Sequence, residues 1–366
     1  MKQIMIVMGT RPEAIKLCPL VLELKKRQKA QVLVCAVGQH SAMLRSVLET
    51  FDVKADFVLE INRTDQSVGS LTAMILERIN ALLSVEKPDL VLVQGDTATA
   101  FAAGLAAFYQ SIPVGHVEAG LRTYRMNAPF PEELHRRAIS MIAKYHFAPT
   151  LRSKRNLLRE GIAESAVCIT GNTSVDALRM SLSGELGEAS LKIPAGKRLV
   201  LFTAHRRESL DQTLRGMLRA LRRVVNETPD VIALCPLHPN PQIRKIADEV
   251  LSGAERIRVM EPPNFVEFHR LLEKSYLVMT DSGGIQEETV TLGIPTVVMR
   301  YSNERSEGMC AGVLKLVGSG EDGIYEVVKR LLEPDSTEYA AMKKPSAVFG
   351  DGRASVKIAD LLEKSS

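Results

Sequence analysis

The chain has 366 residues, of which 45% are hydrophobic and 25% charged, with a formal net charge of +4. This length suits two domains, and the composition is that of an ordinary soluble protein. Charges of both signs are interspersed and no apolar run approaches ~20 residues, so we expect neither a nucleic-acid-binding surface nor a membrane span. The five cysteines are widely spaced and no signal peptide precedes the first strand, which predicts a cytoplasmic protein with reduced thiols.

Apolar runs typical of buried strands alternate with segments of helical spacing. We predict strands at 2–8, 31–37, 57–61, 89–95, 112–118, 146–149 and 167–171, and again at 198–204, 231–235, 256–261, 276–280, 294–300 and 313–317. This alternation predicts an α/β protein with two doubly wound, Rossmann-like domains and a ligand in the cleft between them. We place the first domain at 1–172 and the second at 173–352. A last helix within 353–366 is expected to cross back to the first domain.

A pair of glycines marks the junction between the predicted strand at 276–280 and the helix after it. Gly283 and Gly284 let backbone N–H groups approach an anion closely, and the helix N-terminus adds partial positive charge. This predicts a diphosphate site, with Glu288 about one turn further along and placed to accept hydrogen bonds from ribose hydroxyls. The alternative is a helix capped by Ser282, with the glycines serving tight packing.

A second strand–helix junction follows the first predicted strand, in the segment from Gly9 to Lys16. Pro12 suits the first turn of a helix. Arg11 can bind a phosphate with two donors, while Lys16 acts as a point charge. Cations at a helix N-terminus oppose the macrodipole, which favours an anion at this turn. The alternative is a pair of solvated surface cations.

Carboxylates and one histidine follow other predicted strands: Asp96, Glu118, Glu132 and His205. Because the carboxyl ends of parallel strands share one edge of a sheet, we expect these groups on the same side of the two sheets. Crowded carboxylates raise one another's pKa values and titrate as a set, which suits acid and base catalysis. Each has a structural alternative: Asp96 as a helix cap, Glu132 as a complement to the helix dipole, and Glu118 as an ion-pair partner of Arg122.

Together these segments resemble the non-hydrolysing UDP-N-acetylglucosamine 2-epimerases of bacteria. The resemblance runs from Met1 to about Ser355 and rests on segments 9–16, 95–97, 115–123, 131–133, 169–173, 205–208, 280–288, 304–305 and 350–352. It implies the fold of the B-type glycosyltransferases (GT-B) and a homodimer. It also implies interconversion of UDP-N-acetylglucosamine and UDP-N-acetylmannosamine without a metal or nicotinamide cofactor. A Gly-x-Gly-x-x-Gly at 318–323 is interpreted as a turn rather than a dinucleotide site, because it is a lone glycine pattern that occurs late in the second domain.

The resemblance also implies a mechanism and roles. UDP leaves by anti elimination to give 2-acetamidoglucal and adds back after C2 has been reprotonated on its other face. Asp96, Glu118 and Glu132 would handle the protons, with His205 near the leaving phosphates. Glu288 would bind the ribose and Phe268 would lie near uracil. The diphosphate region would be held by Arg11, Lys16, His205, Ser282, Gly283, Gly284 and Arg305.

Several positions depart from the family pattern. His135 stands where the family has an asparagine beside Glu132, and Pro263 stands where a glutamine often contacts uracil.

Other functions considered are a 2-epimerase of a UDP-2,3-diacetamido-glucuronate-type sugar, a GT-B glycosyltransferase and a non-catalytic UDP-sugar sensor. A sensor would lose the carboxylates, and a transferase would need an acceptor site but not three carboxylates around C2.

Another departure concerns a possible regulatory site. In bacterial relatives a second UDP-N-acetylglucosamine promotes turnover, and Gln39, Arg206 and His238 match residues of that site. The long polar side chain expected at Ala42 is absent, and Asp65 precedes Gln66 where relatives have an arginine. An anion beside a diphosphate is unfavourable. We therefore expect weak or absent activation by UDP-N-acetylglucosamine.

Overall fold

The computed structural model describes residues 2–38, 42–61, 67–187, 196–204, 212–301, 303 and 305–364. The chain divides into two compact units. The first comprises Met1–Arg179 together with Phe349–Ser366, and the second comprises Met180–Val348. Residues 173–179 and 349–352, which the sequence pattern assigned to the second domain, therefore group with the first unit.

The first unit is built on a parallel sheet of seven strands in the order β3-β2-β1-β4-β5-β6-β7 among the described residues. The strands are β1 (Lys2–Met8), β2 (Ala30–Val37), β3 (Phe57–Leu59), β4 (Leu90–Gln94), β5 (Val114–Val117), β6 (Tyr145–Ala148) and β7 (Val167–Ile169). The helices are α1 (Arg11–Arg27), α2 (Ala42–Thr50), α3 (Val68–Glu86), α4 (Ala98–Tyr109), α5 (Glu132–Ile142), α6 (Leu151–Arg159) and α7 (Thr173–Ser183).

The second unit has a parallel sheet in the order β10-β9-β8-β11-β12-β13. Its strands are β8 (Arg198–Thr203), β9 (Val231–Pro236), β10 (Ile257–Met260), β11 (Leu277–Thr280), β12 (Thr296–Val298) and β13 (Leu314–Leu316). Its helices are α8 (Gln212–Glu227), α9 (Pro241–Leu251), α10 (Phe265–Glu273), α11 (Gly283–Leu292), α12 (Ser306–Cys310), α13 (Glu321–Leu332) and α14 (Thr337–Met342). Both strand orders are doubly wound, so the predicted fold class is confirmed.

The strands of both sheets are buried because helices cover both faces. In β1 the residues from Met5 to Met8 have no solvent exposure, and Val200 to Phe202 in β8 are equally buried. Parallel strands covered on both faces require apolar side chains at successive positions rather than at alternate ones. This is why the strands were visible in the sequence as short continuous apolar runs.

The final helix, α15 (Ala354–Lys364), belongs to the first unit and packs on α1. Asp176 caps its N-terminus, because the Asp176 carboxylate accepts hydrogen bonds from the N–H of Ala354 at 3.1 Å and of Ser355 at 2.8 Å. Near its other end, Arg27 Nη1 lies 2.6 Å from Asp360 Oδ1. The first unit is therefore assembled from two separate stretches of the chain.

One helix in the described part of the chain, α3, is long and apolar enough to meet the length and composition criteria for a membrane span. From the sequence we expected no segment that meets these criteria. Glu77 and Arg78 lie at its centre, and Ile75, Ile79 and Leu83 are buried where α3 packs on α4. The helix thus serves as part of the helical layer on one face of the first sheet.

Candidate active site

Helix α11 begins shortly after β11, and the side chain of its N-cap residue does not cap it. Ser282 occupies the N-cap position, but its side chain makes no capping hydrogen bond. By contrast, the Thr10 and Thr97 hydroxyls accept hydrogen bonds at the starts of α1 and α4. The alternative role of Ser282 as a cap is therefore not observed. An uncapped first turn has N–H groups that can bind an anion.

Arg305 lies over this same N-terminus, so close that a Cβ atom at Gly283 would overlap its guanidinium group. Arg305 Nε donates to Glu287 Oε1 at 2.6 Å, and both side chains are buried. The backbone N–H of Arg305 donates to Asn303 Oδ1 at 3.0 Å, and Asn303 Nδ2 donates to Gln286 Oε1 at 2.7 Å. These bonds fix an arginine at a helix N-terminus, an arrangement that complements a bound anion.

The two glycines of α11 are predicted to differ when substituted by alanine. A Cβ at Gly283 meets Arg305, whereas a Cβ at Gly284 meets nothing within 4 Å. We expect Gly283→Ala to lower the melting temperature. We expect Gly284→Ala to keep or slightly raise it, since alanine favours helix over glycine by up to about 1 kcal/mol. The sequence predicts a diphosphate at this turn, and a methyl group at Gly284 would occupy its space. We therefore expect UDP to bind roughly tenfold more weakly, a change of about 1.4 kcal/mol.

The measurements for this pair are thermal unfolding and UDP titration calorimetry on both variants. Unchanged UDP affinity in Gly284→Ala would show that no phosphate approaches this turn. Because Gly284→Ala is expected to fold at least as well as the parent protein, a weaker affinity cannot be assigned to loss of structure.

Two further residues expected at the nucleotide lie on or beside α11. The Glu288 side chain is 13% exposed; its Oε1 lies 3.4 Å from His269 Nε2, and its Oε2 is buried without a hydrogen-bond partner among the described residues. Phe268, on α10, is partly buried and packs against a cluster that includes Leu271 and Ile285. Glu288 therefore presents one carboxylate oxygen that remains able to accept a hydrogen bond.

In the first unit, helix α5 brings Glu132 to Asp96. His135 Nδ1 lies 3.0 Å from the Asp96 carbonyl oxygen, and Arg136 Nη2 lies 2.5 Å from Asp96 Oδ2. Residues three and four positions after Glu132 lie on its face of the helix, so Glu132 is on the side of α5 that faces Asp96. Glu132 Oε2 is buried and has no hydrogen-bond partner among the described residues. Glu132 thus differs from Asp96, whose charge is balanced by an arginine.

Glu118 follows β5 with its backbone in the left-handed region, at φ +65°. This conformation is costly for a residue with a side chain and is typical of functional sites. The buried carboxylate accepts hydrogen bonds at Oε2 from Lys16 Nζ and, at 2.7 Å, from Asn172 Nδ2. The alternative pairing with Arg122 is not formed, since Arg122 donates to Glu160 at 2.9 and 2.8 Å.

The turn that carries Asp96 is held by a buried histidine. His116 Nε2 lies 2.7 Å from the carbonyl oxygen of Gly95. Burial lowers the pKa of His116 to about 3, so the ring is neutral near pH 7 and Nε2–H can donate to that carbonyl. Because this contact fixes the position of Gly95, it also fixes the backbone of its neighbour Asp96. Glu118 Oε1 is close by, 3.9 Å from where a Cβ of Gly95 would be.

Comparison with known proteins shows the family to which the chain belongs. The family model for UDP-N-acetylglucosamine 2-epimerase matches residues 22–363. A protein of Bacillus subtilis (strain 168) with that name is 45% identical over 360 residues, covering 98% of this chain and 94% of its own. The chain belongs to the UDP-N-acetylglucosamine 2-epimerase family.

Solved structures of relatives show the same fold. The Neisseria meningitidis UDP-N-acetylglucosamine 2-epimerase bound to UDP-N-acetylglucosamine superimposes with a TM-score of 0.94 at 42% identity, covering 99% of this chain and 100% of its own. The Staphylococcus aureus protein MnaA, solved with UDP, gives a TM-score of 0.93 at 40% identity, covering 100% and 97%. Both superpositions cover nearly the whole chain, in agreement with the fold class predicted from the sequence.

The residues that the family resemblance assigns fall into two groups within the described ranges. Around the carboxyl ends of the first sheet lie Arg11, Lys16, Asp96, Glu118 and Glu132. On α10, at the start of α11 and before α12 lie Phe268, Ser282, Gly283, Gly284, Glu288 and Arg305. His205, Gln39 and Arg206 lie outside the described residues. His238 is exposed in the loop between β9 and α9, where its Nδ1 accepts from the N–H of Asn240 at 3.1 Å.

The Gly9 junction differs from the α11 junction in how its glycine is used. The N–H of Gly9 donates to Glu13 Oε2 at 3.1 Å, and Thr97 Oγ1 donates to Glu13 Oε1 at 2.7 Å. A Cβ at Gly9 would overlap Thr99. The glycine therefore serves close packing. Glu13, for which the sequence predicted no role, joins the turn before α1 to the turn before α4.

Burial raises the pKa of Glu13, and we predict that this makes the stability of the protein depend on pH. Desolvation raises the pKa of this fully buried carboxyl from 4.5 to about 7, although hydrogen bonds from Thr97, Thr10 and Gly9 oppose the rise. A raised folded-state pKa contributes stability that is complete below pH 4.5 and is lost as the pH rises through 7. The free energy of unfolding should therefore fall by about 3 kcal/mol between pH 4.5 and pH 8 on account of this group.

The check is denaturant unfolding of the protein and of Glu13→Gln across that pH range. The difference between the two should follow the titration of Glu13, because glutamine does not titrate. A difference that stays constant from pH 5 to pH 8 would mean that Glu13 is ionised throughout.

Proposed function

We propose that this protein interconverts UDP-N-acetylglucosamine and UDP-N-acetylmannosamine by anti elimination of UDP and its re-addition through 2-acetamidoglucal. The proposal is carried by one observation. In this member of an epimerase family, helix α11 begins with an uncapped glycine pair beside Arg305, and the first sheet has two carboxylates after its strands and a third, Glu132, at the start of α5. The bound ligands named for the Neisseria and Staphylococcus relatives support a UDP-sugar as substrate.

The chemistry explains why such residues are needed. The C2 proton of the sugar is not next to a carbonyl, so a simple base cannot remove it. Breaking the bond from C1 to the UDP oxygen first gives C1 cationic character and makes the C2 proton acidic. The enzyme must therefore stabilise the departing diphosphate and supply an acid and a base at C2.

The role of the second unit in this proposal is to bind the nucleotide. The first-turn amides after Ser282, together with Gly283, Gly284 and Arg305, hold the diphosphate. Glu288 accepts hydrogen bonds from the ribose, and Phe268 lies at the uracil. The buried pair of Arg305 and Glu287 supports this assignment, since it fixes the guanidinium at the helix start before the ligand arrives.

The role of the first unit is proton transfer. Glu132, whose Oε2 lacks a hydrogen-bond partner among the described residues, is the group best placed to exchange a proton. Asp96 is held by Arg136, and Glu118 is held by Lys16 and Asn172. Arg11, on the first turn of α1, and His205 are assigned to the phosphates. These carboxylates share the work on the two faces of C2.

The test is incubation with UDP-N-acetylglucosamine in D2O, with separation of the sugars and NMR of each. We expect UDP-N-acetylmannosamine with deuterium at C2, and an increase of deuterium in the recovered substrate with turnover. The reaction should proceed in EDTA and without added NAD. Turnover that leaves C2 free of deuterium would exclude the elimination mechanism. Turnover only with a UDP-2,3-diacetamido-glucuronate sugar would exclude the substrate assignment.

We further propose that the protein is a cytoplasmic homodimer. Large apolar side chains are exposed at the ends of three helices: Val85 on α3, Tyr109 on α4 (65% exposed) and Met141 on α5 (82% exposed). Helices that connect parallel strands run in one direction, and α4 packs on both α3 and α5, so these ends lie near one another. Such a surface favours burial against a second copy. Analytical ultracentrifugation of Tyr109→Ser with Met141→Ser should show a shift toward monomer.

A further inference from the structure

His269 is a buried histidine next to Glu288 that has no role in the proposed reaction. It lies on α10 and is 2% exposed. The ring packs edge-on against Phe265, with centroids 4.9 Å apart and planes at 81°. Its Nδ1 lies 2.5 Å from Ser181 Oγ, and its Nε2 lies 3.4 Å from Glu288 Oε1. Both ring nitrogens and one ring edge therefore have defined neighbours.

The partners of the ring determine where its proton is. A carboxylate only accepts hydrogen bonds, so a favourable contact with Glu288 requires a proton on Nε2 of His269. In the neutral ring Nδ1 is then an acceptor, and the Ser181 hydroxyl can donate to it. Ser181 thus hydrogen-bonds to one side of the His269 ring, and the other side of the ring faces Glu288, with Nε2 3.4 Å from Oε1.

Beyond His269, one oxygen of the Glu288 carboxylate lacks a hydrogen-bond partner within the described residues. Glu288 Oε2 is buried and has no hydrogen-bond partner there, while Oε1 faces His269. A buried acceptor without a donor is unfavourable until a ligand supplies one. Vicinal hydroxyls of a ribose are donors of the required kind, and removing them leaves the acceptor unsatisfied again.

We propose that His269 is a positioning residue that orients Glu288 toward the ribose hydroxyls and so gives the site its preference for ribonucleotides. The inference rests on the proposed function in one respect, namely that Glu288 contacts the ribose of UDP. It adds that the preference depends on a polar contact made behind the carboxylate, at a residue that does not touch the ligand.

The experiment is titration calorimetry of UDP and of 2′,3′-dideoxyuridine 5′-diphosphate with the parent protein and four variants. We expect the parent to prefer UDP by roughly tenfold or more, about 1.4 kcal/mol. Glu288→Gln and His269→Leu should bind UDP more weakly and the dideoxy compound unchanged, so that the preference falls below threefold. His269→Gln keeps an N–H donor near the position of Nε2 and should restore most of the preference.

The fourth variant, Phe265→Leu, is the matched structural control. It removes packing from the same helix but leaves the contacts of His269 with Ser181 and Glu288, so it should lower the melting temperature without changing the preference. Equal weakening of both ligands in His269→Leu, or no rescue in His269→Gln, would overturn the positioning role. Failure of the parent protein to bind UDP at all would instead contradict the proposed function, and the two failures are thereby distinguished.

Discussion

Replacing Glu132 by glutamine should abolish most of the epimerisation while leaving the fold intact. Glu132→Gln is nearly isosteric and removes only the charge and the capacity to carry a proton. Glu132 Oε2 has no hydrogen-bond partner among the described residues, so no partner there loses a contact when it is changed. A group that transfers a proton contributes roughly 100-fold or more to the rate. We therefore expect kcat to fall by at least that factor, with UDP affinity and melting temperature unchanged.

The adjacent residue provides the control. Glu133 is fully buried, and its carboxylate accepts hydrogen bonds from the N–H groups of Thr123 and Tyr124, both at 3.0 Å. Glu133→Gln keeps one acceptor but places an amide N–H against one of these donors, so it should lower the melting temperature. The two variants are compared in initial rates and in thermal unfolding. If Glu132→Gln turned over at a near-normal rate, its carboxylate would have no part in the reaction.

The largest effect on stability is expected from Glu287→Ala. Its carboxylate is 1% exposed and lies 2.6 Å from Arg305 Nε, while the arginine side chain is 8% exposed. Removing one member of a buried ion pair takes a compensating charge from the other, which destabilises by about 3–5 kcal/mol. The guanidinium would also lose its fixed orientation at the start of α11. We expect a lower denaturant midpoint and weaker UDP binding in the same variant.

An exposed ion pair in the same unit serves as the comparison. Arg215 and Glu249 are 2.7 Å apart, but the glutamate side chain is 42% exposed. Exposed pairs add little to stability because water and salt screen them. Glu249→Ala should therefore unfold at almost the same denaturant concentration as the parent. If Glu287→Ala behaved like Glu249→Ala, the Arg305 charge would be solvated in the unliganded protein.

The sequence predicted the fold in detail because the fold depends on local patterns. Parallel strands covered on both faces must be apolar at successive positions, and each of the thirteen predicted runs overlaps a strand in the described part of the chain. The strand order was predicted only as a class. The assignment of residues 173–179 to the first unit depends on contacts such as that of Asp176 with Ser355, between positions far apart in the chain.

Side-chain partners were much harder to predict. The sequence indicated that Asp96 and Glu118 follow strands and that Glu132 begins a helix. It did not indicate that Arg136 binds Asp96 or that Asn172 binds Glu118. These partners come from other elements, and their identity depends on rotamers that no spacing rule fixes. Arg136 had a weak signal, since it follows Glu132 by one helical turn. His269 and Glu13 had none, because a buried ionisable group is not distinguishable in sequence from an exposed one.

The discontinuous first unit has a consequence for how the protein is made. Residues up to Arg179 leave the ribosome first, but α15, which Asp176 caps and which packs on α1, is encoded at the other end of the chain. The second unit is continuous, and domains generally fold as their segments emerge. We therefore expect the second unit to reach its final structure before the first, which must await the synthesis of α15. Truncating the mRNA before codon 354 should yield a nascent chain that lacks α15 and is protease-resistant only in its second unit.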